Sequence, residues 1–80
     1  MQIQDAYNIR GVGIVVAGRI IQGTLEPGQT GIVNGKNTEV KTIEAHHKRL
    51  TEAKTGENVG VLLSNVTKQD FQKGMEIEFT

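Results

Sequence analysis

Eighty residues make one small domain with a single core, since folding at this size buries only about 60–65% of the surface that the unfolded chain exposes; a deep cleft between two lobes is therefore not expected. Nine Lys and Arg balance nine Asp and Glu, so the chain lacks the net positive field that drives non-specific nucleic-acid binding, and any such contact is local. The absence of cysteine excludes disulfides, thiolate zinc sites and cysteine nucleophiles, and suits a reducing compartment.

Ten glycines, one proline and short runs rich in Val, Ile and Thr point to strands joined by turns. "IQDAYNI" (3–9) reads as the first strand. "GIVVAGRIIQG" (13–23) reads as a long second strand, apolar on both faces near its middle, which suits a closed barrel. "TLEPGQTG" (24–31) is turn chemistry, because Pro27 fixes φ and Gly28 is free to take φ > 0. A strand over 31–34 then runs into "NGKN" (34–37), whose Asn-Gly pair signals a tight hairpin. "TEVKTIEAHH" (38–47) is the return strand, and 48–57 reads as an irregular connection because it has too few apolar residues to bury a helix face. A strand over 58–65 follows, then a short helical turn near 67–74 with Thr67 and Asp70 at capping-box spacing. A last strand spans 75–79. The count is six strands, and the expected fold is an all-β, closed six-stranded antiparallel β-barrel over residues 1–80, since closure leaves no exposed edge.

The longest apolar run, Ile14 to Ala17, is far short of the roughly 20 residues that cross a bilayer. No apolar segment follows a basic start, so no secretory signal is read, and the expected location is cytoplasmic with no membrane partner.

His46 and His47 invite a metal reading. Adjacent strand residues face opposite sides, so the pair would split, with His46 sharing a face with Glu44; no cysteine or third histidine completes a zinc site. "GENVG" (56–60) lacks the lysine and hydroxyl of a phosphate loop, and "GVG" (11–13) lacks the third glycine of a dinucleotide fingerprint. Gly56 and Gly60 read as turn geometry and close backbone approach. No Ser or Thr has an evident base and orienting partner, and the carboxylates of Asp5, Glu44, Glu52 and Glu57 are scattered on a neutral chain. An enzyme is not expected, nor a cofactor. Lys48 and Arg49 beside the histidines, with Tyr7 elsewhere, allow a local nucleic-acid contact.

The order of motifs carries more than composition does. "IQDAY", "GVGIVVAGR", "GTLEPG", "IEAHH", "GENVG" and the closing "KG" follow one another in a pattern that resembles the second domain of translational GTPases, of the elongation factor Tu and elongation factor 1-alpha type. The resemblance runs from about Ile3 to Phe79 and implies a six-stranded barrel that packs against a GTPase domain and contacts ribosomal RNA or the aminoacylated 3′ end of tRNA. It implies further that Glu44 meets the terminal ribose, Asn58 the aminoacyl group and His46 the terminal adenosine, with Asp5 and Tyr7 lining the amino-acid pocket. Gln4 stands where bacterial factors usually carry an acidic residue, and Ala17 where they often carry threonine. With no GTPase motif present, GTP hydrolysis is not expected of this chain, which is either excised from a longer factor or free-standing. The implied function is a monomeric, non-catalytic binding module in translation; the alternative is a protein-interaction barrel with a vestigial tRNA pocket.

Overall fold

A computed structural model describes residues 1–80 and is all-β and antiparallel. The strands are β1 (Gln2–Ile9), β2 (Gly13–Arg19), β3 (Thr24–Leu25), β4 (Thr30–Val33), β5 (Lys36–Ala45), β6 (Lys48–Leu50), β7 (Ala53–Lys54) and β8 (Asn58–Leu63), with one 3-10 turn at Lys68–Asp70. The main sheet runs β1-β2-β8-β5-β4, with β6 paired to β5, and β3 pairs separately with β7.

Strand alternation builds the core. Val16 opposes Val61, and Val61 opposes Ile43, three fully buried side chains in one row across three strands. Fifteen buried residues, among them Ile3, Ile14, Val33, Val40, Val59 and Ile77, form a single cluster on this inner side. Each buried Val, Ile or Leu side chain among them contributes about 1.5–3 kcal/mol by burial.

Several expectations need correction. The second strand ends at Arg19 rather than at residue 23, because the turn before β8 captures Ile20: its N–H donates to the Glu57 carbonyl (3.0 Å) and its carbonyl accepts from Gly56 (2.7 Å). The connection over 48–57 is not irregular throughout, since it contains β6 and β7, and Leu50 opposes the buried Ile43. Most consequential, His46 and His47 are not strand residues. Both have φ > 0 (53° and 63°) and form the two-residue turn between β5 and β6, so strand alternation does not govern where they point. The Asn34–Gly35 turn at the other end of β5 has the same handedness (51° and 79°), as its sequence predicts.

The last strand is not a regular ladder, and no sheet closes into a barrel through one. Segment 75–80 makes a single isolated bridge, Gln2↔Glu76. Hydrogen bonds nonetheless reach both neighbours: Ile3 N–H to the Met75 carbonyl (2.7 Å), Ile77 N–H to the Met1 carbonyl (2.9 Å), and a reciprocal pair between Thr30 and Thr80 (3.0 and 2.8 Å). Two glycines allow close packing. A Cβ on Gly18 would run into the Gln2 carbonyl and Met1, and one on Gly31 would lie 2.9 Å from the Glu78 carbonyl.

A polar clamp ties the 3-10 turn to the β4–β5 hairpin. The buried Asp70 carboxylate accepts from Asn34 Nδ2 (3.0 Å), Lys36 Nζ (2.8 Å) and the Thr67 N–H (2.8 Å). The Asn34 bond, then the Lys36 bond, then the Thr67 N–H hold this carboxyl far below the usual carboxylate range, against the opposing effect of burial.

Three outcomes are expected in equilibrium urea unfolding. Gly18→Ala lowers stability by about 1–3 kcal/mol through the forced clash. Replacing His46-His47 with Asn-Gly raises it by about 1 kcal/mol, because those residues adopt φ > 0 at lower cost. Since the folded-state value of Asp70 is the lower one, protons bind preferentially to the unfolded chain, so its contribution is complete above the unfolded value of about 3.9 and is lost as pH falls below it. Asp70→Asn lowers stability at pH 7 and flattens the acid limb of the stability profile.

Candidate functional site

Register places the candidate residues on the outer face of the main sheet. Directly opposed residues form one row across five strands: Asp5 on β1, Ala17 on β2, Gly60 on β8, Glu44 on β5 and Arg49 on β6. The middle pair is small, so the row is a trough with carboxylates on either side. Asn58 stands two residues before Gly60 on β8, hence on the same face and diagonal to Glu44. A second outward row, Tyr7, Val15, Leu62 and Thr42, runs beside the first and is mostly apolar.

Three of the five candidate residues meet in one open depression of about 320 Å³, where Glu44, His46 and Asn58 stand with Gln4, Ala17 and Gly60. The hairpin turn, rather than strand alternation, brings His46 to this rim. Gly60 is not there for want of space: a Cβ would lie 3.6 Å from Val15 Cγ1, an ordinary contact. Its effect is to leave the floor open between Glu44 and Asn58.

Asp5 and Tyr7 are set apart. Asp5 lines a smaller depression of about 100 Å³ with Lys68 and Phe71, and its carboxylate accepts from the Ala6 N–H (2.8 Å). Tyr7 is 48% exposed, and a hydrogen bond to Asp5, reinforced by that negative charge, pushes its phenol up from the usual tyrosine value. The two residues form a pair on β1, at one flank of the row whose other flank is Glu44.

Electrostatics at the rim is mild. Glu44 and Arg49 are 3.9 Å apart and both exposed, an ion pair of about 0–1 kcal/mol. Gln4, singled out in the sequence only as a departure from the bacterial pattern, has its Nε2 at 3.5 Å from Asn58 Oδ1. The sequence signal for it is two successive polar residues, Gln4 and Asp5, between buried Ile3 and Ala6. A larger depression of about 380 Å³ lies elsewhere, beside segment 75–80, lined by Met1, Ile20, Leu25, Ile77 and Phe79 with Glu76 and Glu78; it contains none of the candidate residues. No cluster of three or more His, Asp and Glu gathers anywhere, and no helix is long and apolar enough to cross a membrane.

The family model described as elongation factor Tu domain 2 matches residues 13–78. Elongation factor 1-alpha of Euglena gracilis is 45% identical over 76 residues, covering 92% of this chain and 17% of that protein. Elongation factor 1-alpha of Cenarchaeum symbiosum (strain A) is 42% identical over 74 residues, covering 90% of this chain and 17% of that protein. The chain thus spans about a sixth of the length of these relatives. In fold it is similar to a bacterial selenocysteine-specific elongation factor, EF-Sec, with a TM-score of 0.85 at 23% identity, over 95% of this chain and 13% of the solved one. The match over most of its length identifies this chain as a member of the elongation factor Tu domain 2 family, the β domain of translation factors.

Proposed function

We propose that this domain is a non-catalytic binding module of the translation machinery, and that its outer trough takes the aminoacylated 3′ end of a tRNA. The observation that carries this reading is the meeting of Glu44, His46 and Asn58 around one open depression floored by Gly60 and Ala17. The chemistry is complementary. A carboxylate accepts from a ribose hydroxyl, a carboxamide hydrogen-bonds the acyl group, and an imidazole at the rim lies against a base. The adjoining row of Tyr7, Val15 and Leu62 offers apolar surface to an amino-acid side chain, with Asp5 beside it.

A trough open to solvent on one side binds weakly alone, and a neighbouring GTPase domain supplies the second wall in this reading. The same reading treats segment 75–80 as the sixth strand of a closed barrel, supported by its hydrogen bonds to both flanking strands. A second reading, a protein-interaction module, is favoured by Ile9 and Val12, 43% and 57% exposed at the β1–β2 end.

Titration of the labelled domain with a non-hydrolysable aminoacyl-adenosine amide, followed by NMR, decides between them. Shifts at Glu44, Asn58 and Gly60 with a Kd of about 1 mM are expected. Glu44→Gln weakens binding about tenfold by removing the charged acceptor. Gly60→Ala leaves stability within about 0.5 kcal/mol but weakens binding by filling the floor. No shift in the trough at about 10 mM ligand overturns the tRNA reading.

A further inference from the structure

We propose that Asn34 is a covalent modification site, converted to aspartate or isoaspartate by loss of ammonia, and that the Asp70 carboxylate restrains this reaction for as long as the polar clamp is closed.

Asparagine is a thermolabile residue. Its conversion requires the peptide nitrogen of the following residue to reach the side-chain Cγ, an approach that a β-branched neighbour hinders and glycine does not. Asn34 is the one asparagine in the chain that precedes glycine; Asn8, Asn37, Asn58 and Asn65 precede Ile9, Thr38, Val59 and Val66. Gly35 is fixed there by the turn and not by crowding, since its φ is 79° and a Cβ on it would meet nothing within 4 Å. Both residues are exposed at the tip of the β4–β5 hairpin, within reach of water.

What the fold adds is Asp70. Asn34 Nδ2 donates to Asp70 Oδ1 at 3.0 Å, and because a carboxylate only accepts, the orientation of the carboxamide is fixed. The carboxylate is itself buried and anchored by Lys36 Nζ and the Thr67 N–H, both at 2.8 Å. Two effects follow. The bond holds the carboxamide against the rotation that presents Cγ to the Gly35 nitrogen. An anionic acceptor also pushes electron density onto Nδ2, which makes Cγ a poorer electrophile and Nδ2 a poorer leaving group.

When the clamp opens, the Gly35 nitrogen loses its proton to solvent and bonds to Cγ, closing a cyclic imide. The Cγ–Nδ2 bond breaks, and Nδ2 takes a proton from water and leaves as ammonia. Water then opens the imide at either carbonyl, giving aspartate or isoaspartate. In both products a carboxylate replaces the donor that faced Asp70, so two like charges compete for Lys36. Isoaspartate also inserts a methylene into the backbone of a two-residue turn. The clamp does not close again, and the 3-10 turn is released from the hairpin.

The test is peptide mapping by mass spectrometry after incubation of the whole chain at mildly alkaline pH. In urea, Asn34 converts fastest of the five asparagines; in the folded domain its conversion is slower. Asp70→Ala speeds the folded reaction about tenfold, the rate equivalent of one charge-assisted hydrogen bond. Asp70→Asn, which keeps a neutral acceptor and the side-chain shape, falls between the two. Val16→Ala, which lowers global stability with the clamp intact, leaves the folded rate unchanged. Asn34→Asp, the product made directly, lowers hydrogen-exchange protection of the Thr67 amide more than Asn34→Ala does. No preference for Asn34 in urea, a folded rate unmoved by both Asp70 variants, or equal acceleration by Val16→Ala overturns the proposal. Equal loss of Thr67 protection in the two Asn34 variants overturns the one-way release.

Discussion

The row Val16–Val61–Ile43 is the constraint from which the rest follows. Three fully buried side chains in direct opposition fix the register of β2, β8 and β5, because a slip by one residue would send the whole inner set to solvent. Once the inner row is fixed, the outer one has no freedom. Ala17, Gly60 and Glu44 must stand side by side, and the trough they form is the reverse side of the core. Stability and site geometry are thus two faces of one ladder.

The polar features divide the labour differently. Asp70 joins residues from two distant segments, and its four partners, Asn34, Lys36 and the Thr67 N–H and hydroxyl, satisfy a buried carboxylate that would otherwise be costly. No buried side-chain polar atom is left without a partner. The outer face is the opposite case, with Glu44 and Asn58 exposed and only loosely engaged, so their hydrogen-bonding capacity is available.

Much of this was legible in the sequence, for reasons tied to individual residues. Asn34–Gly35 and Pro27–Gly28 demand their turns, and the alternation in "GIVVAG" and "NVGVLL" gives β2 and β8 their inner faces. His46–His47 was not legible as a turn, since histidine carries no turn signature; the reason for the turn lies in "KRL", three residues whose Leu50 returns to Ile43. A strand that short leaves no periodic trace. Glu44 and Asn58 were placed as site residues by resemblance, and the structure supplies what resemblance lacked: Gly60 between them, and Gln4 reaching over from a one-residue bulge that composition does not mark. Spacing suggested the Thr67–Asp70 pairing, whereas Asn34 and Lys36, more than thirty residues earlier, could be joined to it only in space.

The join between segment 75–80 and the start of β1 brings the two ends of the chain together. Met1 and Ile77 exchange hydrogen bonds across a sequence separation of 76, the widest among the hydrogen bonds at this join. Hairpins such as β4–β5 and β5–β6 close over two-residue turns, whereas the join of Met1 to Ile77 closes a far longer loop at a higher entropic cost. The strands that carry the outer trough, β1, β2, β8 and β5, pair over shorter separations than segment 75–80 does with Met1. The outer trough therefore depends on contacts of lower sequence separation than the join that holds the two ends together.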